Sequence, residues 1–272
     1  HFDISHGIWL DIFPYDLELQ DKKMEMVRIN DINKWYKLWG IINGIDYDVW
    51  NPKTDKYIDN NYTFKTIGKR KKNKVALQKL YGLPEDPDVP LIGMVTRLNE
   101  MKGLDLVRYI LEELLQEDIQ FVVLGTGDYT YEEMFSYFDW KYPNKLSARI
   151  YYSNEEAHKI YSSCDIFLMP SVSEPCGLSQ MISMRYGALP LVREAGGLKD
   201  TVIPYNEFTG EGTGFTFSNI NAHEMLFKIK DALNVYNNRK DDWNRLIKNA
   251  MEEDFSWKES SKKYIEMYES IL

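Results

Sequence analysis

The chain has 272 residues, 44 % apolar and 28 % charged, enough for a real core in one large or two modest domains. A net charge of −9 argues against nucleic acid or an anionic membrane as the main partner, and no run of about 18 apolar residues is present to span a bilayer. The two cysteines, Cys164 and Cys176, form no C-x-x-C pair, which argues against a disulfide framework or a zinc site and fits a reducing cytoplasm.

The chain opens on His1, and "HFDISHGIWLDIFPYD" lacks the basic region and cleavage site of a signal peptide; the missing initiator predicts a fragment. Residues 1 to about 90 read as irregular, with one helical pattern around Lys22–Leu38 and a basic run, "KRKKNK" (69–74), expected as a solvated loop or helix start. From Pro90 the pattern becomes regular. "LIGMVTRL" predicts a strand and "GLDLVRYILEELLQ" a helix; "IQFVVLGTG" a strand and "EEMFSYF" a short helix; "SARIYY" a strand and "NEEAHKIYSS" a helix. "CDIFLMPS" predicts a strand, "GLSQMISMRYG" a helix, then "ALPLVRE" and "GTGFTF" two strands, with helices at about 221–236, 240–253 and 257–271. Strands alternating with helices predict βαβ units and an α/β fold, with a parallel sheet whose strands all end on one edge.

Ligands of such sheets bind beyond the carboxyl ends of the strands. That rule selects "TRLNEMKG", "GTGD", "YYSNEE" and "PSVSEPCG". Arg97 and Lys102 share the first loop, at a helix N-terminus whose dipole favours negative charge; either they hold an anion or they pair with Glu100 and Asp105. Gly125 and Gly127 supply two glycines of a dinucleotide fingerprint, but Thr130 stands where the third belongs, so a tight turn is an equal reading. In "EPCGLSQ", Pro175 and Gly177 shape a turn whose helix opens with free N–H groups, and these with the Ser179 hydroxyl can hold a phosphate. Glu174, just outside, would repel that phosphate and suits sugar hydroxyls instead. "EAGGLKDTV" repeats the device with Gly196 and Gly197. Tyr152 could stack on a base, although such aromatics are more often core or rim. His158 is expected on a surface helix without a partner, and Cys176 is expected to be a small packing residue. No nucleophile–base arrangement and no Asp-x-Asp metal pair can be argued, and a phosphate site of Arg, Lys and helix ends needs no metal.

"GIINGIDYDVWNPKTD" (40–55), "VTRLNEMKGLDL", "LGTGD", "DIFLMPSVSEPCGLSQMISMRYGALPLVREAGGLKDTV" and "FSWKESSKKYIEMY" together resemble bacterial glycogen synthases and plant starch synthases. The resemblance covers about residues 40–272, the C-terminal half of such an enzyme. It implies a Rossmann-like doubly wound parallel sheet, the C-terminal domain of a GT-B glycosyltransferase, with an inter-domain linker at 40–90 and a last helix that crosses back to the N-terminal domain. It also implies a retaining transfer of glucose from ADP-glucose to the non-reducing end of an α-1,4-glucan, without a cofactor, in the cytoplasm or, in a plant, the plastid. By the resemblance, Arg97 and Lys102 bind the pyrophosphate and Glu174 contacts the donor glucose. Gly177, Leu178 and Ser179 contact phosphate, Tyr152 stacks on adenine, Asn43 lies near the transferred sugar, and the Gly125–Gly127 turn lies near the nucleotide. Ile182 stands where many related transferases carry a second Glu, as expected of the glycogen synthase branch.

Before Gly40 the family's Lys-x-Gly-Gly-Leu loop and catalytic His are absent; the atypical segment 1–39 resembles, over "HGIWLDIFPYD", the LicD-type phosphotransferases, which predicts a truncated or fused product. The isolated chain is therefore expected to bind its donor but turn over little. A non-catalytic nucleotide- or glucan-binding module and a UDP- or GDP-sugar transferase are the alternatives.

Overall fold

The computed structural model describes residues 40–270; the segment 1–39, with its helical pattern and LicD-like stretch, and Ile271 lie outside them. Six strands, β1 (Leu91–Val95), β2 (Gln120–Leu124), β3 (Leu146–Arg149), β4 (Ile166–Met169), β5 (Leu189–Arg193) and β6 (Phe215–Phe217), form one sheet in the order β3-β2-β1-β4-β5-β6, parallel throughout. Nearly every strand residue is buried, as a parallel sheet covered on both faces requires. The helices are α1 (Arg70–Tyr81), α2 (Leu104–Leu114), α3 (Tyr129–Lys141), α4 (Asn154–Ser163), α5 (Ser179–Arg185), α6 (Gly197–Thr201), α7 (Ala222–Asn238), α8 (Lys240–Glu252) and α9 (Trp257–Glu269). Helix α4 packs on β1, β2, α1 and α5, while α2 packs against α7. The strand order reverses between β1 and β4, and there the loops after these two strands leave a crevice.

The expected alternation is present from Leu91 onward, with shorter ends. β3 stops at Arg149 instead of running to Tyr152, because its partner β2 ends at Leu124 and Gly125 donates the last N–H to the Arg149 carbonyl (3.1 Å). Helix α5 starts at Ser179 because Gly177 turns the chain at φ 70°.

The stretch before Leu91 differs from the expectation of an irregular segment, because a 3₁₀ turn at Phe64–Lys69 leads into α1. The buried face of α1 carries Arg70, Asn73, Lys74, Leu77, Gln78 and Tyr81, which hides the usual apolar period. The basic run is a helix start, as expected, but it is not all solvated. Lys74 is 2 % exposed and its ammonium lies 2.6 Å from Asp165, whose carboxylate also accepts the Leu91 N–H (2.8 Å). Arg70 caps the C-terminal end of α4, donating from Nε to the Ser162 carbonyl (3.3 Å) and from Nη2 to that of Cys164. A cation at the orphan carbonyls of a helix end satisfies both their hydrogen bonding and the dipole.

Segment 40–63 is tied to both the sheet domain and α9. Ile45 donates to the Phe255 carbonyl (2.8 Å), and the Ser260 hydroxyl donates to that of Ile42 (2.8 Å). His158 is buried, contrary to the expected surface position: its Nδ1 lies 2.7 Å from the Asp55 carboxylate, and its ring stacks on Trp50 at 4.0 Å. The partner is 103 residues away in sequence, beyond the reach of any local pattern. Tyr186 donates to the same Asp55 oxygen at 2.5 Å. Burial would raise the Asp55 pKa, but hydrogen bonds from His158, Tyr186 and the Tyr57 N–H outweigh it and hold the carboxyl below its ordinary value.

Two stability predictions follow from these contacts. Lys74→Met should cost about 3–5 kcal/mol in urea unfolding, because it strands the buried Asp165 charge, whereas Lys71→Met, at an exposed pair with Asp88, should change nothing measurable. Since the folded Asp55 carboxyl titrates below its unfolded value, its contribution is complete above about pH 4 and is lost as pH falls through the folded pKa. Asp55→Asn should therefore flatten the acid limb of the stability–pH curve; an unchanged limb would contradict this assignment.

Candidate functional site

The crevice is built from backbone before any side chain enters it. Gly103, at φ 72° after a short 3₁₀ turn (Glu100–Lys102), lets the β1 loop pass so close to the β4 loop that a Cβ there would sit 2.0 Å from the Pro170 carbonyl oxygen. Val172 donates to the Met101 carbonyl (2.9 Å), fixing the two loops together. A cleft of about 190 Å³ opens beside this junction, lined by the ends of β1 and β4 together with Arg97, Lys102, Ser171 and Ser179.

Lys102 and Glu174 come together across the junction. The ammonium lies 2.5 Å from one carboxylate oxygen, and the Ser171 hydroxyl donates to that same oxygen at 3.2 Å. Neither cation of the first loop pairs as the alternative supposed: Lys102 takes Glu174, Asp105 accepts from the Tyr131 hydroxyl (3.1 Å), and Arg97 is exposed with no ion-pair or side-chain hydrogen-bond partner among the described residues. Two contributors were not anticipated. Ser171 sits inside a quoted loop and carried no separate signal. Arg193, at the C-terminal end of β5, donates to the Ser171 carbonyl (3.0 Å) and to that of Val172, and burial lowers its pKa. A lone arginine closing the apolar run "ALPLV" was the visible clue.

The glycines serve the loops more than they serve open space. A Cβ at Gly125 would lie 1.9 Å from the Thr96 carbonyl oxygen and one at Gly127 2.2 Å from that of Leu98, so this turn is moulded against the Arg97 loop. Gly196 adopts φ 54°, and the Gly197 N–H is not free for a ligand: it donates to the Glu174 carbonyl at 3.1 Å. Helix α6 is a single five-residue turn that buttresses the Glu174 loop. On the other side, Gly177 and Leu178 precede α5, Leu178 is exposed, and Ser179 is half-buried. Burial raises the pKa of the neighbouring Tyr161, and the nearby Ser179 opposes that rise.

Asn43 lies close to Cys176 of the same loop, and its buried side-chain oxygen has no partner among the described residues. Burial pushes the Cys176 thiol up, which agrees with a packing residue and not with a reactive thiolate. Tyr152 stands between β3 and α4 with 83 % of its surface exposed, a ring face open to stacking. In α9, Tyr268 is exposed and Tyr264 half-buried. Among the described residues no cluster of three or more His, Cys, Asp or Glu could hold a metal ion, and no helix is long and apolar enough to cross a membrane.

Residues 81–253 match the family model for glycosyl transferases group 1. The chain is 59 % identical over 235 residues to the glycogen synthase of Lachnospira eligens, covering 86 % of this chain and 49 % of that protein. It is 57 % identical to the glycogen synthase of Finegoldia magna, covering 87 % of this chain and 50 % of that one; the chain thus spans about half the length of these relatives. In structure it is similar to the catalytic domain of starch synthase IV from Arabidopsis thaliana bound to ADP and acarbose: TM-score 0.79, 35 % identity, 85 % of this chain and 48 % of that chain. A glycosyltransferase from Rickettsia africae shares the fold alone, at TM-score 0.65 and 20 % identity, covering 92 % of this chain and 61 % of that chain.

Proposed function

The chain belongs to the group 1 glycosyl transferases and, within them, to the glycogen synthase family, and from that membership we propose that it is the donor-binding half of a retaining glucosyltransferase. The donor is ADP-glucose and the acceptor the 4-hydroxyl at the non-reducing end of an α-1,4-glucan. The bond from glucose C1 to the terminal phosphate oxygen breaks, a bond from C1 to the acceptor oxygen forms, and the acceptor proton leaves with ADP. The observation that carries this reading is that Arg97 and Lys102 line one cleft where the strand order reverses, with Glu174 paired to Lys102 beside it.

Each residue then has a task. Arg97 and Lys102 hold the diphosphate and neutralise the charge that grows on the departing ADP, which is the main electrostatic demand of the reaction. Glu174 accepts hydrogen bonds from glucose hydroxyls. Ser179 and the N–H groups of Gly177 and Leu178 meet phosphate oxygens, Tyr152 stacks on adenine, and Asn43 turns its unpartnered side-chain oxygen toward the transferred sugar. Gly125, Gly127, Gly196 and Gly197 keep the loops at these positions. Charge neutralisation is assigned to side chains, so no metal is invoked. The setting is cytoplasmic, with neither nucleic acid nor membrane as partner.

Calorimetric titration of ADP into the chain and into Arg97→Ala tests this reading. A charge-assisted bond to phosphate contributes about 1.5–3 kcal/mol, so the variant should bind about 10- to 100-fold more weakly. Indistinguishable affinities would overturn it.

A further inference from the structure

Lys102 has two claims on it, and only one can be met at a time. In the structure its ammonium belongs to Glu174, whose side chain is 12 % exposed against 26 % for Lys102. The carboxylate sits on a loop that is held in place. Ser171 donates to it, Arg193 grips the Ser171 and Val172 carbonyls, and the Gly197 N–H fixes the carbonyl of Glu174 itself. Lysine, by contrast, is a compact charge on a flexible stem. Arg97 stands outside this arrangement, exposed and unpaired among the described residues.

We propose that the Lys102–Glu174 pair is a counter-ion switch that couples recognition of the diphosphate to recognition of the sugar. This inference rests on the donor-site reading above and adds a consequence that reading does not contain. A diphosphate that draws Lys102 away leaves a largely buried carboxylate without its cation, which is costly. The hydroxyls of an attached hexose donate to that carboxylate and offset the cost. A nucleotide sugar therefore satisfies both groups, whereas the nucleoside diphosphate left after transfer satisfies one and strands the other. The site thereby favours donor over product and hastens product release.

A double-mutant cycle read by calorimetry tests this, with ADP and ADP-glucose titrated separately into the full 272-residue chain, Glu174→Gln, Lys102→Met and the double variant. Glu174→Gln should tighten ADP about three- to tenfold, the scale of a partly exposed ion pair released from competition, and should weaken ADP-glucose. In the Lys102→Met background the same substitution should leave ADP within about twofold, because the competition is gone. Unchanged or weaker ADP binding by Glu174→Gln overturns the switch. A gain of equal size without Lys102 overturns it too, since that is plain charge repulsion between Glu174 and phosphate. Should Glu174→Gln fail to fold, Glu174→Asp serves in the same cycle, since its shorter side chain withdraws from Lys102 and must also tighten ADP. If the unaltered chain binds neither ligand, the donor-site reading falls and the switch with it; if it binds both and the cycle is additive, the switch alone falls.

Discussion

Parallel strands deliver all their carboxyl ends to one edge, and a sheet wound outward from its middle must leave one place on that edge uncovered. Here that place lies between β1 and β4. Everything in the candidate site depends on how the two loops that meet there are held. They are held by backbone contacts, Gly103 against Pro170, Val172 to Met101 and Gly197 to Glu174, and by one side chain, the Arg193 guanidinium against two carbonyls. Such a frame fixes the loop backbone, so ordering on binding is confined to the Arg97 and Lys102 side chains themselves.

Charge is distributed in the molecule on a consistent principle. The buried ionic groups away from the crevice are paired and hydrogen-bonded: Lys74 with Asp165, Arg70 with the end of α4, Asp55 with His158 and Tyr186. They lock α1 and segment 40–63 onto the domain, and burial forces that completeness on them. At the crevice the completeness is relaxed. Among the described residues Arg97 faces solvent unpaired, Lys102 has a single counter-ion, the one the proposed switch exchanges, and Asn43 keeps a side-chain oxygen without a partner. In a chain of net charge −9, an exposed arginine beside an exchangeable lysine is the electrostatic basis of the proposed anion site.

The parallel sheet and its site edge were legible in the sequence because buried parallel strands are short apolar runs and their covering helices keep the helical period. Helix α1 was not legible, since its core face is made of Arg70, Asn73, Lys74 and Gln78. The Asp55–His158 contact was equally hidden, because no local pattern reports a partner 103 residues away. Within the site, the residue types at Arg97, Lys102 and Glu174 announced their chemistry, and the resemblance to glycogen synthases assigned their roles. Their mutual pairing could not be read, since it depends on two loops separated by 72 positions touching in space. The glycine turns were legible as turns, but the loops they press against required the fold.

The most direct test is a crystal structure of the chain with ADP-glucose. The account predicts the diphosphate between Arg97 and Lys102 at the carboxyl ends of β1 and β4, the Lys102–Glu174 pair opened, and the glucose hydroxyls on the Glu174 carboxylate. A nucleotide bound away from that crevice, or bound there with the pair still closed, would contradict it.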